Sequence, residues 1–286
     1  MEVARGDGSV ISVEVAGQRD ATPVLFCHGL ADSRLSAHLF TPAARELGLC
    51  LVAPDRPGIG RTDPRRLRQL SDWAEDAVLV LDALGAGPAA LLGISAGGPF
   101  AAACAARLGR RVRSLTLVSA LGPPAWPTRG MAPGQRLALQ AARHAPAFGG
   151  WFLGRLATLA RDRPDLFLRL ATSEMPGIDR RALAQPDMRE AFLAAYAEAF
   201  RCGSWGVAQD LRLLTRPWGF ELGSVKVPTS IHHGNADTVV PPQHAQLYAE
   251  AIPGAQLHLH PRHGHFSILD AAREMLAAPA ASEGAP

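Results

Sequence analysis

Ala89-Ala90-Leu91-Leu92-Gly93-Ile94-Ser95-Ala96-Gly97-Gly98 decides how this 286-residue chain is read. Ala89 to Leu92 is an apolar run of buried-strand length, and Ala96 to Leu108 carries a helical pattern that opens straight after the serine. The Gly-x-Ser-x-Gly spacing alone is weak: a chain with 28 Gly and this serine content produces it by chance about 0.1 times. Its context supplies the meaning. A strand that turns at once into a helix strains the corner residue, and the residues two before and two after it must lack side chains that would collide. Gly93 and Gly97 meet that demand, and Gly98 adds room. Such a corner lifts the Ser95 hydroxyl clear of the sheet and sets it at a helix N-terminus, where backbone N–H groups favour negative charge. The plain alternative is a Gly-rich turn with a bystander serine.

Similar runs recur on both sides. The run around Val3 and that from Val10 to Val15 flank Asp7-Gly8, a hairpin signal. Val24 to Cys27, Leu49 to Ala53, Leu115 to Val118, Thr229 to His232 and Leu257 to Leu259 also have strand length. Helical patterns such as Trp73 to Leu84 and Pro99 to Leu108 lie between most of them. This alternation predicts an α/β fold with a mostly parallel central sheet flanked by helices. From about Gly122 to Leu222 it stops, leaving helical patterns at Gln135 to His144, Trp151 to Leu170 and Arg189 to Phe200. We therefore expect a core of residues 1–121 and 223–276, a helical lid inserted at 122–222, and a frayed tail at 277–286. Most of the lid's large aromatics, Phe148, Trp151, Phe152, Phe167, Phe192, Tyr196 and Trp205 among them, are expected to pack lid against core.

A serine hydroxyl is a poor nucleophile until a base removes its proton. Sheets of this kind collect functional residues beyond the carboxyl ends of their strands. Asp237 follows the strand Thr229 to His232 through His233-Gly234-Asn235-Ala236, and His265 follows Leu257 to His260 in Pro261-Arg262-His263-Gly264-His265. Ser95, Asp237 and His265 thus project from one edge of the sheet, as nucleophile, orienting acid and base would have to.

At this point the segments resemble the α/β-hydrolase superfamily, and serine esterases with a helical lid in particular. Phe26-Cys27-His28-Gly29-Leu30 is similar to its His-Gly oxyanion loop. Asp55-Arg56-Pro57-Gly58-Ile59-Gly60-Arg61-Thr62 is similar to the segment after the next strand, with Thr62 where Ser is usual. Gly93 to Gly98 resembles the nucleophile elbow, Gly234-Asn235-Ala236-Asp237 the acid loop and Gly264-His265 the histidine loop. The resemblance implies that the backbone N–H groups of Leu30 and Ala96 form an oxyanion hole, supported by His28 and Gly29. It also implies a substrate that is a small molecule, and no cofactor.

His263 would point away from His265 on an extended loop, and the family motif puts glycine directly before its histidine. Asp55 and Asp210 belong to other loops, and Asp270 follows His265 too closely. His258, His260, His263 and His265 suggest a metal site, but with no nearby carboxylate or thiol to complete it none is expected. Gly58-Ile59-Gly60 lacks the Lys and Ser/Thr of a phosphate loop.

A net charge of +3, with Lys226 the only lysine, points to no nucleic-acid partner; Arg65, Arg66 and Arg68 are expected on a solvated helix face. Cys27, Cys50, Cys104 and Cys202 match no metal or disulfide spacing and are expected to be buried thiols. Residues 1–7 show no apolar h-region, and no run reaches membrane-span length, so a cytoplasmic protein is expected. Oligomeric state is left open. The leading expectation is hydrolysis of an ester or lactone of a small to medium apolar acid. The same triad also serves C–C bond hydrolases, perhydrolases and aminopeptidases, and a retired triad would leave a small-molecule binding protein.

Overall fold

The computed structural model describes residues 1–281. Its strands are β1 (Glu2–Ala4), β2 (Val10–Gly17), β3 (Thr22–Cys27), β4 (Leu49–Pro54), β5 (Ala89–Ile94), β6 (Val112–Val118), β7 (Thr229–Gly234) and β8 (Gln256–His260). They form one sheet in the order β1-β2-β4-β3-β5-β6-β7-β8. β1, β2 and β4 pair antiparallel, and every pairing from β4 onward to β8 is parallel.

Parallel neighbours need crossovers, and helices supply them on both faces. Those of the core are α1 (Thr41–Glu46), α2 (Ala74–Ala83) and α3 (Gly97–Leu108). Between β6 and β7 come α4 (Pro133–His144), α5 (Pro146–Asp162), α6 (Pro164–Ala171), α7 (Gly177–Ala184), α8 (Pro186–Ala199) and α9 (Trp205–Leu214). α10 (Gln243–Ala251) and α11 (Ala272–Ala281) complete the core. Pleating sends alternate residues of each buried strand to opposite faces. In β3, Leu25 and Cys27 join a cluster with Trp73, Val80 and Phe100, whereas Val24 and Phe26 join one with Phe40 and Met275. A strand apolar on both sides is therefore covered on both sides.

The helical segment between β6 and β7 lies over the loops at the carboxyl edge. Its Phe167, Tyr196 and Val207 share an apolar cluster with Ala31 and Ile59 of those loops. Two buried ion pairs fasten it: Arg34 to Glu198 of α8 at 2.8 Å, and Arg56 to Asp210 of α9 at 2.8 Å.

Several expectations need correction. The pattern from Trp151 to Leu170 is two helices, broken at Arg163 because a residue before proline disfavours the helical backbone. Residues 64–69 carry no helix; Arg65 instead reaches back to Glu75 at 2.7 Å and Asp76 at 3.2 Å. Of the expected tail, residues 277–281 continue α11, and 282–286 lie outside the described residues. Cys27, Cys50 and Cys104 are buried but Cys202 is exposed. Phe148, Trp151 and Phe152 are exposed rather than packed inward, whereas Trp205, though part-exposed, lays its ring against Gly58 of the core. No helix among the described residues is long and apolar enough to cross a membrane.

Candidate active site

The corner between β5 and α3 has the strain its sequence requires. Ser95 has φ of 51°, in the region that side chains other than glycine rarely occupy, and its N–H is tied to Val118 O of β6 at 2.8 Å. A Cβ on Gly93 would stand 2.7 Å from Ala101 Cβ, and one on Gly97 would stand 2.0 Å from Cys27 O. Because the second obstacle is backbone of the central strand, it has little freedom to yield. Gly97→Ala is expected to destabilise the fold by about 3 kcal/mol or more, read from the midpoint of urea unfolding. A loss below about 1 kcal/mol would mean that this corner has slack.

Three side chains from separate loops meet above that corner. Ser95 Oγ lies 3.1 Å from His265 Nε2, and His265 Nδ1 lies 2.8 Å from Asp237 Oδ2. Asp237 Oδ1 accepts the N–H groups of Val239 and Val240 at 2.8 and 2.9 Å, so one oxygen shapes its own loop and the other faces the imidazole. His233 adds its Nε2 at 3.3 Å from Oδ2. Burial alone would raise the Asp237 pKa, but the charge on His265 and hydrogen bonds from His233 and His265 hold it well below the usual carboxylate range. An ionised carboxylate facing Nδ1 keeps the proton on that nitrogen and leaves Nε2 free to accept from Ser95. For His265, burial disfavours the cation, yet the Asp237 charge and hydrogen bond, with a contribution from Asp179, outweigh it and raise the pKa.

The loop after β3 stands beside the serine: a Cβ on Gly29 would lie 3.8 Å from Ser95 Cβ. Arg56 Nη1 and Nη2 donate to His28 O and Gly29 O, each at 2.6 Å. His28 is fully buried; its Nδ1 donates to Gly29 O at 3.0 Å while its Nε2 accepts from Arg56 N at 3.3 Å. Burial, then the Arg56 charge, pushes its pKa well down, so it is a neutral brace. In a trans peptide the N–H points opposite to the C=O of the same unit. Anchoring Gly29 O on Arg56 therefore turns the Leu30 N–H the other way. Likewise, Ser95 O accepts from Gly98 and Leu121 N–H at 3.1 and 3.0 Å, which turns the Ala96 N–H away from them. Thr62 does what a serine there would do, donating to Asp55 O at 3.1 Å and accepting from Ser12 N at 2.9 Å.

One residue at this site escaped the sequence reading. Asp179, in the first turn of α7, is fully buried and accepts four hydrogen bonds from the histidine loop. Its Oδ2 takes His265 N–H at 2.8 Å; its Oδ1 takes Phe266 N–H at 3.0 Å, Ser267 N–H at 2.9 Å and Ser267 Oγ–H at 2.9 Å. A Cβ on Gly264 would lie 2.2 Å from Oδ2, which is why glycine precedes the histidine here. Its only sequence signal is an acid in the first turn of a short helix after Pro176-Gly177, a pattern that ordinarily marks an exposed dipole partner. The charged residues Arg136, Arg143, Arg155, Arg169 and Glu174 of the same segment are all exposed.

The remaining candidates fall elsewhere. His263 turns to Pro261 O at 2.9 Å, Asp55 pairs with Arg34 at 2.5 Å, and Asp270 is exposed. His232 and His260 meet at 3.1 Å on the sheet face opposite His233. The expectation that no carboxylate lies near these histidines is overturned: α11 brings Glu274, distant in sequence from His232, beside them.

With this geometry in place, the chain matches a family model described as alpha/beta hydrolase fold over residues 22–272. It is 29% identical over 226 residues to a 2-hydroxymuconate semialdehyde hydrolase of Pseudomonas putida, covering 77% of this chain and 72% of that one. It is 27% identical over 263 residues to a non-heme chloroperoxidase of Burkholderia pyrrocinia, covering 87% of each. Among solved structures it superposes on the esterase EaEST of Exiguobacterium antarcticum with a TM-score of 0.70, at 20% identity and 99% coverage of both chains.

Proposed function

The chain belongs to the α/β-hydrolase fold family, and from that premise we propose that it is a serine hydrolase acting on carboxylic esters or lactones of small to medium apolar substrates. The observation that carries this reading is the unbroken hydrogen-bonded line from Ser95 through His265 to Asp237, with separations of 3.1 and 2.8 Å. Ser95 Oγ attacks the acyl carbon while its proton passes to His265 Nε2. The resulting oxyanion is held by the N–H groups of Leu30 and Ala96, donors of a kind worth roughly 3–4 kcal/mol each. Collapse expels the alcohol, which takes the proton from His265 and leaves an acyl-Ser95. A water then attacks, with His265 again as base and Ser95 as leaving group. Asp237 fixes the imidazole tautomer and stabilises its cation, and Asp179 acts as a positioning residue that holds the backbone of the histidine loop. In this reading the segment from α4 to α9 is a lid.

The apolar preference is supported by rings beside the base: Phe266 stands edge-on to His265 at 5.3 Å, and Phe192 of α8 stands edge-on to Phe266 at 5.4 Å. Such walls favour a hydrocarbon acyl chain over a charged one. A panel of p-nitrophenyl esters of increasing acyl length tests the reading. Turnover is expected for short and medium chains; a purified, folded protein that cleaves none of them rules the proposal out. A second reading, cleavage of a C–C bond beside a carbonyl by the same triad, is favoured by the likeness to the 2-hydroxymuconate semialdehyde hydrolase. Adding a vinylogous keto acid to the panel separates the two by which substrate gives the higher kcat/KM.

A further inference from the structure

The face of the sheet opposite His233 carries a second group of polar side chains that the hydrolytic scheme does not use. Pleating divides the adjacent pair His232-His233: His233 turns to Asp237, and His232 turns toward α11. β8 then places His258 and His260, two apart and so on one face, beside it. The His258 ring stacks on His232 with centroids 4.6 Å apart and planes 11° from parallel. His260 Nε2 faces His232 Nδ1 at 3.1 Å, and the His263 ring stands edge-on to His260 at 6.0 Å. Glu274 closes the group from α11, and the ligand atoms of His232, His260 and Glu274 all lie within 4.8 Å of one another.

The geometry points to a binding site for a divalent transition cation of the zinc type, held by His232 Nδ1, His260 Nε2 and a Glu274 carboxylate oxygen. Two imidazole nitrogens bound to one tetrahedral ion at about 2.0–2.1 Å stand about 3.3 Å apart, close to the separation these rings already have. Imidazole and carboxylate are ligands such an ion accepts readily, and two neutral rings with one carboxylate leave a fourth position for water. Glu274 is exposed, so its side chain is free to swing onto the ion, while the buried rings of His232 and His260 need little adjustment. A hydrogen-bonded imidazole pair accounts for the 3.1 Å contact alone; it does not account for a carboxylate brought to the same point from a different element. The three ligands come from β7, β8 and α11, so the ion would tie the edge strand β8 and its neighbour β7 to α11. The strands it clamps lead directly into the loops of Asp237 and His265, which makes its expected role structural, separate from the chemistry at Ser95.

Zinc titration of the full chain after chelator treatment, followed by calorimetry and by thermal unfolding, tests this. One equivalent is expected to bind with micromolar affinity or better and to raise Tm. Glu274→Gln, on an exposed side chain, is expected to weaken binding about tenfold, and His260→Gln about a hundredfold, with the Tm increase lost in the latter. Absence of binding to the wild type would overturn the assignment. So would undiminished affinity in Glu274→Gln and His260→Gln, since the ion would then sit on exposed histidines elsewhere.

Discussion

Ser95→Ala and His265→Ala are each expected to cut ester turnover by about 10⁴-fold or more, and the double variant is expected to lose little beyond either single one. The reason is that the two atoms 3.1 Å apart act as one unit. Without the hydroxyl there is no acyl-enzyme, and without the imidazole the hydroxyl keeps its proton. On the proposed mechanism, the surviving rate would come from the Leu30 and Ala96 N–H groups polarising a bound carbonyl toward water, which neither substitution touches. Folding should be nearly unaffected in Ser95→Ala; it even relieves no strain, because the φ of 51° is imposed by the strand–helix corner and not by the hydroxyl. A fluorophosphonate should label the wild type and leave Ser95→Ala unlabelled. Labelling that persists in that variant would place the nucleophile on another residue, and a double variant much slower than both singles would show that Ser95 and His265 do not act as one unit.

The parts of this arrangement visible in the sequence are those whose causes are local. Gly93 and Gly97 are readable because a strand–helix corner admits no Cβ, and the structure gives the obstacles as Ala101 and Cys27 O. The central runs, β3 to β6, declare themselves because a strand buried on both faces is largely apolar, and Asp237 and His265 could be located by counting from strand ends. What stayed hidden depends on contacts across long stretches of chain. Asp179 meets His265 from 86 residues away, and Glu274, carried on α11, meets His232 of β7 across a shorter but still non-local separation. In each case a carboxylate that looks like an ordinary helix acid acquires its role only from what the fold carries to it. Amphipathic patterns in the segment from α4 to α9 were misleading in the other direction: spacing alone cannot say which face is inward, and Phe148, Trp151 and Phe152 proved to lie outside.

Asp179→Asn is expected to lower kcat about a hundredfold with little change in KM, and to move the acid limb of kcat/KM to lower pH. The carboxylate accepts four hydrogen bonds, three of them from consecutive N–H groups that begin with His265 itself. Hydrogen bonds to a charged group contribute roughly 1.5–3 kcal/mol each, and an amide of the same shape must turn its own NH₂ toward at least one of these donors. The histidine loop then relaxes, and displacement of a base by about 1 Å can cost about 10² in rate. The pH effect follows from sign. His265 must be neutral to accept the Ser95 proton, so activity rises as pH climbs through its raised pKa. Burial pulls that pKa down, while Asp237 and Asp179, the two carboxylates facing the ring and its backbone, push it up; Ser95 brings no charge. Removing the Asp179 charge leaves only Asp237 to favour the cation, the pKa falls, and the limb shifts toward acid. A substitution that merely unfolded part of the sample would depress kcat at every pH and leave the limb where it was. An unmoved limb, or a kcat within a few-fold of wild type, would reduce Asp179 to a structural tie between α7 and the loop.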